Sequence, residues 1–540
     1  MTNYPKRYRN FHWDVPEHFN FGETIDGYAA DPARVALLYE DQDGKRARLT
    51  FADIRNQSNQ IANVLSGLGL AQGDPVMLML PRVTLWQAAY IGALKAGLLV
   101  IPCTAMLREK DLVFRANHSG ARAIIAAPSS AELVADLKKD CPSLEHFLVA
   151  GSQRAGWKCL QTAMHEASRD FAPVRTPASA PAICYYTSGT TKDPKAVLHS
   201  HGYTYCHRYT GLNWLDLRDG DIHWTTSDTG WAKAAYGVLF GPWMNGVTTF
   251  MYNGRFEPKQ ELDLIRRYNI TTFCGPPTEY RMLIKEDLGN YRFPALRHCT
   301  AAGEPLNPEV IEVWRDHFKL TVHDGYGQTE STILVANMPG MDIKPGAMGL
   351  PFPGHDVHVI DHELNETKND EVGEVAVRVK PERPPSLFLE YWKNPEETAA
   401  SFRGDFYLTG DQAYRDADGY LWFVGRADDV IISAGYRIGP FEVESALLEH
   451  AAVMESAVVA SPDADRGSIV KAFVKLKSGI DASDALATEL QEHVKRVTAP
   501  YKYPRKIEFV EELPKTVSGK IRRVELRHRE EQRAAAASKP

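Results

Sequence analysis

The chain has 540 residues, 44 % hydrophobic and 24 % charged, with a formal net charge of −7. That length exceeds a single compact core and implies two or more domains, and the ordinary composition excludes a disordered or fibrous chain. The acidic balance argues against a general affinity for nucleic acid, so no nucleic-acid partner is expected.

No apolar run is long enough to cross a bilayer, and the first nine residues lack the apolar core of a signal peptide. The expectation is a cytoplasmic protein without a transmembrane segment. Seven cysteines (Cys103, Cys141, Cys159, Cys184, Cys206, Cys274 and Cys299) are odd in number, widely spaced and free of any Cys-x-x-Cys pair. Buried thiols are expected rather than a disulfide framework or a zinc site. His199 and His201 lie beside a strand with no third ligand nearby, which favours a structural role over a metal site.

In chain order, Thr50-Phe-Ala-Asp53 is a capping-box pattern, and Ile54, Ile61, Val64, Leu65 and Leu68 then fall on one helical face. An all-apolar strand follows at 75–80, a helix at about 85–95, and strands at 98–101 and 123–126. Strands that are apolar throughout, alternating with helices, belong to sheets buried on both faces, so the class is α/β. The same grammar continues through 270–274 and 296–300, each strand ending in a loop rich in Gly, Pro or Ala. Such strand ends are where α/β sheets bind ligands. From Gly349 to Asp361 and again from Gly373 to Val379 the pattern alternates, which predicts an antiparallel segment capping the main body. After Gly425 comes a small α/β unit: helix 441–449, strands 456–460 and 471–476, helix 483–497. From Lys495 to Arg529 eleven Lys/Arg face four Glu, a basic segment that is either a solvated face or a contact for a polyanion. The expected division is 1–426, 427–530 and a frayed tail at 531–540.

Between Ile183 and Val197 a short apolar strand runs into Thr187-Ser188-Gly189-Thr190-Thr191-Lys192-Asp193-Pro194-Lys195. Hydroxyls, a glycine and lysines on one tight loop suit a polyphosphate. The loop is not a Walker A motif, because no glycine precedes a Gly-Lys pair at the required spacing. Taken alone it is ordinary turn chemistry. Five more stretches accompany it: Ala302-Gly-Glu-Pro305, Asp324-Gly-Tyr-Gly-Gln-Thr-Glu330, Tyr407-Leu-Thr-Gly-Asp411, Gly425-Arg-Ala-Asp428 with Ser433-Ala-Gly-Tyr-Arg-Ile-Gly439, and Pro514-Lys-Thr-Val-Ser-Gly-Lys520.

In this order and at these separations the six stretches resemble the adenylate-forming superfamily of acyl-CoA synthetases, adenylation domains and luciferases. Tyr436–Pro440 and Tyr501–Arg505 look most like its medium-chain acyl-CoA synthetases. The resemblance implies a large N-terminal domain of stacked αβ subdomains with an antiparallel β segment, followed by a small mobile C-terminal domain hinged at Asp428. It further implies an ATP-dependent acid:CoA ligase that uses ATP, Mg²⁺ and coenzyme A on a small carboxylic acid, with homo-oligomerisation left open.

By the same resemblance, Thr187, Ser188, Gly189, Thr190, Thr191 and Lys195 hold the β and γ phosphates. Gly303, Glu304, Pro305, Asp324, Gly325, Tyr326, Gly327 and Gln328 line the adenine pocket, with Tyr326 stacking on the base. Asp411 and Arg426 reach the ribose. Thr329 meets the α-phosphate or the substrate carboxylate, Glu330 holds Mg²⁺, and Lys520 bridges carboxylate and α-phosphate. Ala434, Gly435, Tyr436, Arg437, Arg466, Tyr503 and Arg505 are matched to coenzyme A.

Trp231, Gly327 and Ala302 are expected around the acyl group. Acetate-activating relatives carry a tryptophan where this chain has Gly327, so space for a medium-chain, branched or simple aromatic acid is expected. Lys192 and Ala196 replace two glycines usual in the phosphate loop; Lys192 either adds a phosphate-facing cation or points to solvent. Two other outcomes share these motifs: loading of a carrier-protein thiol, and a catalytically weakened nucleotide-binding homologue.

Overall fold

Helix Leu85–Lys95 is buried from Trp86 through to Lys95, so it can only lie between other layers. Its one charge, Lys95, donates to Asp26 at 2.5 Å and to Asn59 at 2.6 Å. A Cβ at Gly22 would stand 2.3 Å from the Lys95 side chain, so the absent side chain there makes room for the lysine. The computed structural model describes residues 4–133, 137–187, 194–433, 436–463, 466–515 and 520–537. In it this helix shares a single core with helices Phe51–Gly67 and His201–Asn213 and with strands of two large sheets.

Among the described residues the first of those sheets has eight strands. Pro75–Met79, Leu99–Pro102, Ala123–Ala126 and His146–Val149 run parallel, and Pro181–Thr187, Lys195–Ser200 and Glu390–Tyr391 extend them on the far side. The second has nine, with a parallel centre of Val35–Asp41, Thr248–Asn253, Ile222–Thr225, Thr272–Gly275, His298–Ala302 and Val322–Gly327. A five-stranded antiparallel sheet built on Gly373–Arg378, Phe406–Arg415 and Leu421–Arg426 caps the body. The carboxyl ends of Thr272–Gly275, His298–Ala302 and Val322–Gly327 open toward that cap, as an α/β sheet requires of a binding site.

The capping box forms as read: Thr50 Oγ1 accepts from the Asp53 amide, and the Asp53 carboxylate accepts from the Thr50 amide. Three expectations need correction. The strand placed at 296–300 is His298–Ala302, because Arg297 is drawn to Asp216 and Asp221 and only the following residues join the sheet. Cys159 is half-exposed, while the other six cysteines are buried.

The third correction concerns the tail expected from 531, which is helical through Ala537. Its anchor is electrostatic. Glu530 and Glu508 both accept from Lys471 at 2.7 Å, Arg533 donates to both carboxylates, and Ser461 Oγ donates to Glu530. This helix packs on the C-terminal sheet of Val453–Asp463, Gly467–Leu476 and Lys506–Phe509.

Glu530→Ala takes one of two carboxylates from the buried Lys471, which keeps Glu508. The substitution is expected to destabilise the C-terminal unit by about 2 kcal/mol, the size of a hydrogen bond to a charged group, read as a lowered urea midpoint for the full chain; an unchanged midpoint would place the anchor elsewhere.

Candidate active site

The strand ends, the antiparallel cap and the C-terminal unit enclose a cleft of about 1130 Å³. At its centre Asp411 is buried, and its Oδ2 accepts from Tyr326 Oη and from Gln328 Nε2, both at 2.6 Å. Gln328 is held from its other side by Tyr407 Oη, which donates to Oε1 at 2.9 Å. Asp411 faces Arg426 across the antiparallel pair of strands, so the two residues expected at a ribose stand side by side. Burial raises the Asp411 carboxyl above its ordinary range, opposed by Tyr326 and by the cations Arg426 and Lys520.

Glu304 follows Gly303, which has φ of +105° and takes the chain out of strand His298–Ala302 in the left-handed region that favours glycine. Its carboxylate accepts from Thr278 Oγ1 at 2.8 and 3.0 Å and from Arg281 at 3.2 Å. Arg281 also donates to Asn307, whose amide reaches Ser445 of the C-terminal unit at 2.9 Å. The next strand supplies Asp324, buried, with Oδ1 accepting from the Gly325 amide and its carboxyl pushed up by burial to about 8.

A Cβ on Gly325 would lie 2.4 Å from the Trp214 indole, so glycine lets that ring close the floor. Gly327 departs from the expectation. A Cβ there would stand 2.5 Å from the Thr332 carbonyl oxygen, so the missing side chain permits close approach of strand Ile333–Ala336. Gly327 nevertheless borders the cleft.

The Thr329 carbonyl accepts from His199 Nε2 at 2.7 Å. That bond fixes the tautomer of a histidine whose burial drops its pKa to about 3. Glu330 accepts from Tyr391 Oη at 2.9 Å, and burial raises its carboxyl. Among the described residues no basic group stands within ion-pair distance of it. Lys195 pairs with Glu397 and lies 4.9 Å over the Tyr391 ring. Lys520 enters the cleft from the C-terminal unit. Its side chain is exposed within the cleft, and desolvation there lowers its pKa against the opposing pull of Glu304 and Asp411.

Thr187, Lys195, Trp231, Gly303, Glu304, Pro305, Asp324–Glu330, Asp411, Arg426, Asp428 and Lys520 thus border one cleft. Ala302 lies just behind it, its carbonyl accepting from Lys233 at 3.3 Å. Ser188, Gly189, Thr190, Thr191 and Lys192 lie outside the described residues, as do Ala434 and Gly435. Ala196 pairs with Tyr186 in an ordinary strand and makes no use of a glycine's freedom.

The described residues matched to coenzyme A do not line the cleft. Tyr436 is exposed and stacks on Tyr501 at 4.4 Å, Arg505 donates to the Tyr503 hydroxyl at 2.8 Å, Lys495 lies 4.2 Å over the Tyr503 ring, and Arg437 and Arg466 are exposed. Asp428, the expected hinge, lies 3.5 Å from both Arg426 and Arg527, and Arg527 also binds Asp429. Sequence reasoning missed Thr278, Arg281, Tyr391 and Glu397. Each acts through a partner distant in sequence, and no local pattern marks it.

Over residues 27–392 the chain matches the AMP-binding enzyme family, and over residues 442–520 the AMP-binding enzyme C-terminal domain. It is 46 % identical over 533 residues to the mitochondrial acyl-coenzyme A synthetase ACSM4 of Homo sapiens, covering 96 % of this chain and 91 % of the relative. It is 44 % identical over 543 residues to the mitochondrial acyl-coenzyme A synthetase ACSM3 of Pongo abelii, covering 98 % and 93 %. Among solved structures it resembles the anthranilate CoA ligase AuaEII in complex with anthranoyl-AMP, with TM-score 0.89 and 31 % identity over 97 % of this chain and 99 % of that one. A benzoate CoA ligase from Burkholderia xenovorans LB400 superposes with TM-score 0.83 at 28 % identity, over 94 % and 100 %. With both of its parts matched and nearly its whole length shared with these relatives, the chain belongs to the AMP-binding enzyme family.

Proposed function

We infer that the protein is an ATP-dependent carboxylic acid:CoA ligase. It joins an acid to the α-phosphate of ATP as an acyl-adenylate with release of pyrophosphate, then passes the acyl group to the thiol of coenzyme A with release of AMP. One observation carries the reading: Lys520, from one unit, meets Glu304, Asp411 and Arg426, from the other, in a single cleft at the strand ends. The acyl-coenzyme A synthetases at 44 and 46 % identity support it, as does the likeness to a ligase holding anthranoyl-AMP.

A carboxylate attacking phosphorus builds charge on the non-bridging oxygens, and fixed cations supply most of the acceleration. We assign that task to Lys520. The compact ammonium on a long stem can touch the incoming carboxylate and the α-phosphate together, and Glu304 and Asp411 oppose the loss of its charge on burial. Asp411 spends Oδ2 on Tyr326 and Gln328, so Oδ1 is the oxygen we assign to the ribose hydroxyls. Tyr326, its hydroxyl tied to Asp411, keeps a fixed ring for the adenine.

Lys195, Thr187 and the loop between them are assigned to the β and γ phosphates. Glu330 fits Mg²⁺: it is a hard oxygen donor whose burial raises its carboxyl, and among the described residues it has no ion-pair partner. Mg²⁺ bound there would neutralise phosphate charge. In the second half-reaction we assign the Tyr436, Arg437, Arg466, Tyr503 and Arg505 group to coenzyme A, brought to the cleft by rotation about Asp428. Seven free thiols support a reducing, cytoplasmic location as part of the same proposal.

The acid we propose is medium-chain, branched or simply aromatic, seated against Trp231 and Ala302. Each buried methylene is worth about 0.8 kcal/mol, so hexanoate is expected to exceed acetate in kcat/KM by about two orders of magnitude. Acid-dependent pyrophosphate release across acetate, hexanoate, octanoate, benzoate and salicylate measures this, and better turnover of acetate would overturn it. Adding coenzyme A should yield AMP and a free acyl-CoA together; AMP without a free thioester would point to a carrier-protein thiol.

Lys520→Ala should lower acid-dependent pyrophosphate release by about 10²–10³-fold. Thioester formation from a supplied acyl-adenylate should stay within about tenfold of the parent, because the lysine is assigned to the first step alone. Equal losses in both steps would remove that assignment.

A further inference from the structure

Lys195, assigned above to the outer phosphates, already has an anion. Glu397 accepts from its ammonium, and both side chains border the cleft, 26 % and 35 % exposed. The pairing is built into the fold. Glu390–Tyr391 pairs antiparallel with Val197–Leu198, immediately beyond Lys195. Thr398 Oγ1 then accepts from the Tyr391 amide at 3.0 Å, Asn394 Oδ1 caps the Glu397 amide at 3.1 Å, and Ser401 Oγ donates to the Glu397 carbonyl at 2.9 Å. Tyr391 completes the group: its ring lies under the Lys195 ammonium and its hydroxyl holds Glu330. The carboxylate therefore stands where an outer phosphate oxygen would meet the lysine.

We propose that Glu397 is a resident counter-ion of Lys195 that the triphosphate displaces and that returns when pyrophosphate departs, making it a positioning residue that sets the affinity for outer phosphates. This rests on the reading that those phosphates bind at Lys195. Like charges in one site disfavour each other, so a carboxylate beside the phosphates weakens their hold. On departure, Lys195 regains a partner and is not left uncompensated. ATP binding is weakened in exchange for faster loss of pyrophosphate, the product whose retention would reverse the first step. AMP, which has no outer phosphates, should be indifferent to Glu397.

The test uses the full-length enzyme with Glu397→Gln, which keeps shape and hydrogen bonding while removing the charge, and Lys195→Met beside it. Binding of pyrophosphate, ATP and AMP is followed by calorimetry in the absence of acid, with thermal unfolding as the check on folding. Glu397→Gln is expected to tighten pyrophosphate and ATP by roughly fivefold, the upper end for a partly exposed charge pair, and to leave AMP within about twofold of the parent. Lys195→Met should weaken pyrophosphate. If Lys195→Met weakens pyrophosphate while Glu397→Gln leaves it unchanged or weaker, the counter-ion proposal is wrong and the phosphate assignment stands. Should Lys195→Met alter neither pyrophosphate nor ATP, the phosphate assignment itself fails and the proposal falls with it. A tightening of AMP equal to that of pyrophosphate would also overturn it, because the effect would then not act through the outer phosphates.

Discussion

Asp411 is buried where the antiparallel cap meets the large parallel sheet, and one of its oxygens takes hydrogen bonds from Tyr326 and Gln328 together. A carboxylate in that position must be compensated or it forces the layers apart. Because both donors come from the end of strand Val322–Gly327 or the residue after it, satisfying the carboxylate fixes the cap against the strand that carries the site. The strand paired with Asp411 ends in Arg426, and the chain crosses to the C-terminal unit directly afterwards. The angle at which Lys520 approaches is thus inherited from a pair of hydrogen bonds on the opposite wall.

The contacts that hold the two units together are of a different kind from those within them. Asn307 reaches Ser445 through one neutral hydrogen bond, and at the crossing itself Arg426 lies 3.5 Å from Asp428. Nearby, like charges face each other. Lys285 has its pKa lowered by burial and then by Lys477 and Arg281, and Glu449 is raised by burial and then by Glu309 and Glu312. An interface selected for permanence would replace such pairs with apolar packing. Contacts of this kind suit the rotation proposed above for the C-terminal unit. Lys520 lines the cleft while Tyr436 and Tyr501 stack outside it, the arrangement that the proposed role of Lys520 in the first half-reaction calls for.

Elements with a strong local signature were legible from the sequence. The capping box at Thr50, the all-apolar strands and the six motif stretches needed only neighbours within a few residues, and Thr187, Gly303–Pro305, Asp324–Glu330, Asp411, Arg426 and Lys520 from those stretches border one cleft. Contacts created by distant pairing were not legible. Tyr391 and Glu397 reach the phosphate-side lysine through a two-residue strand laid on Val197–Leu198, a pairing too short to leave a periodic trace. Trp214 meets Gly325 from another helix end. At Gly327 the sequence showed the absence of a side chain but not its direction. Space was inferred on the ligand side, whereas the bulge in the strand turns that direction onto the Thr332 carbonyl.

The basic C-terminal segment shows how far a charge count can stand from a field. Eleven cations against four Glu between Lys495 and Arg529 suggested a polyanion contact. Most of those cations are spent on acids that the fold brings to them: Lys502 on Glu442, Lys515 on Glu455, Arg523 on Glu444, Arg527 on Asp428 and Asp429, Lys495 on Glu492 and Arg529 on Glu525. Several of these acids lie upstream of the segment, so a local count cannot register the compensation. The positive character that remains for a phosphate-bearing partner includes Arg505 against the Tyr503 ring, with Arg437 and Arg466 exposed on the same unit. A few cations held against an aromatic face select a compact anion such as a nucleotide phosphate, whereas an uncompensated stripe would attract any polyanion.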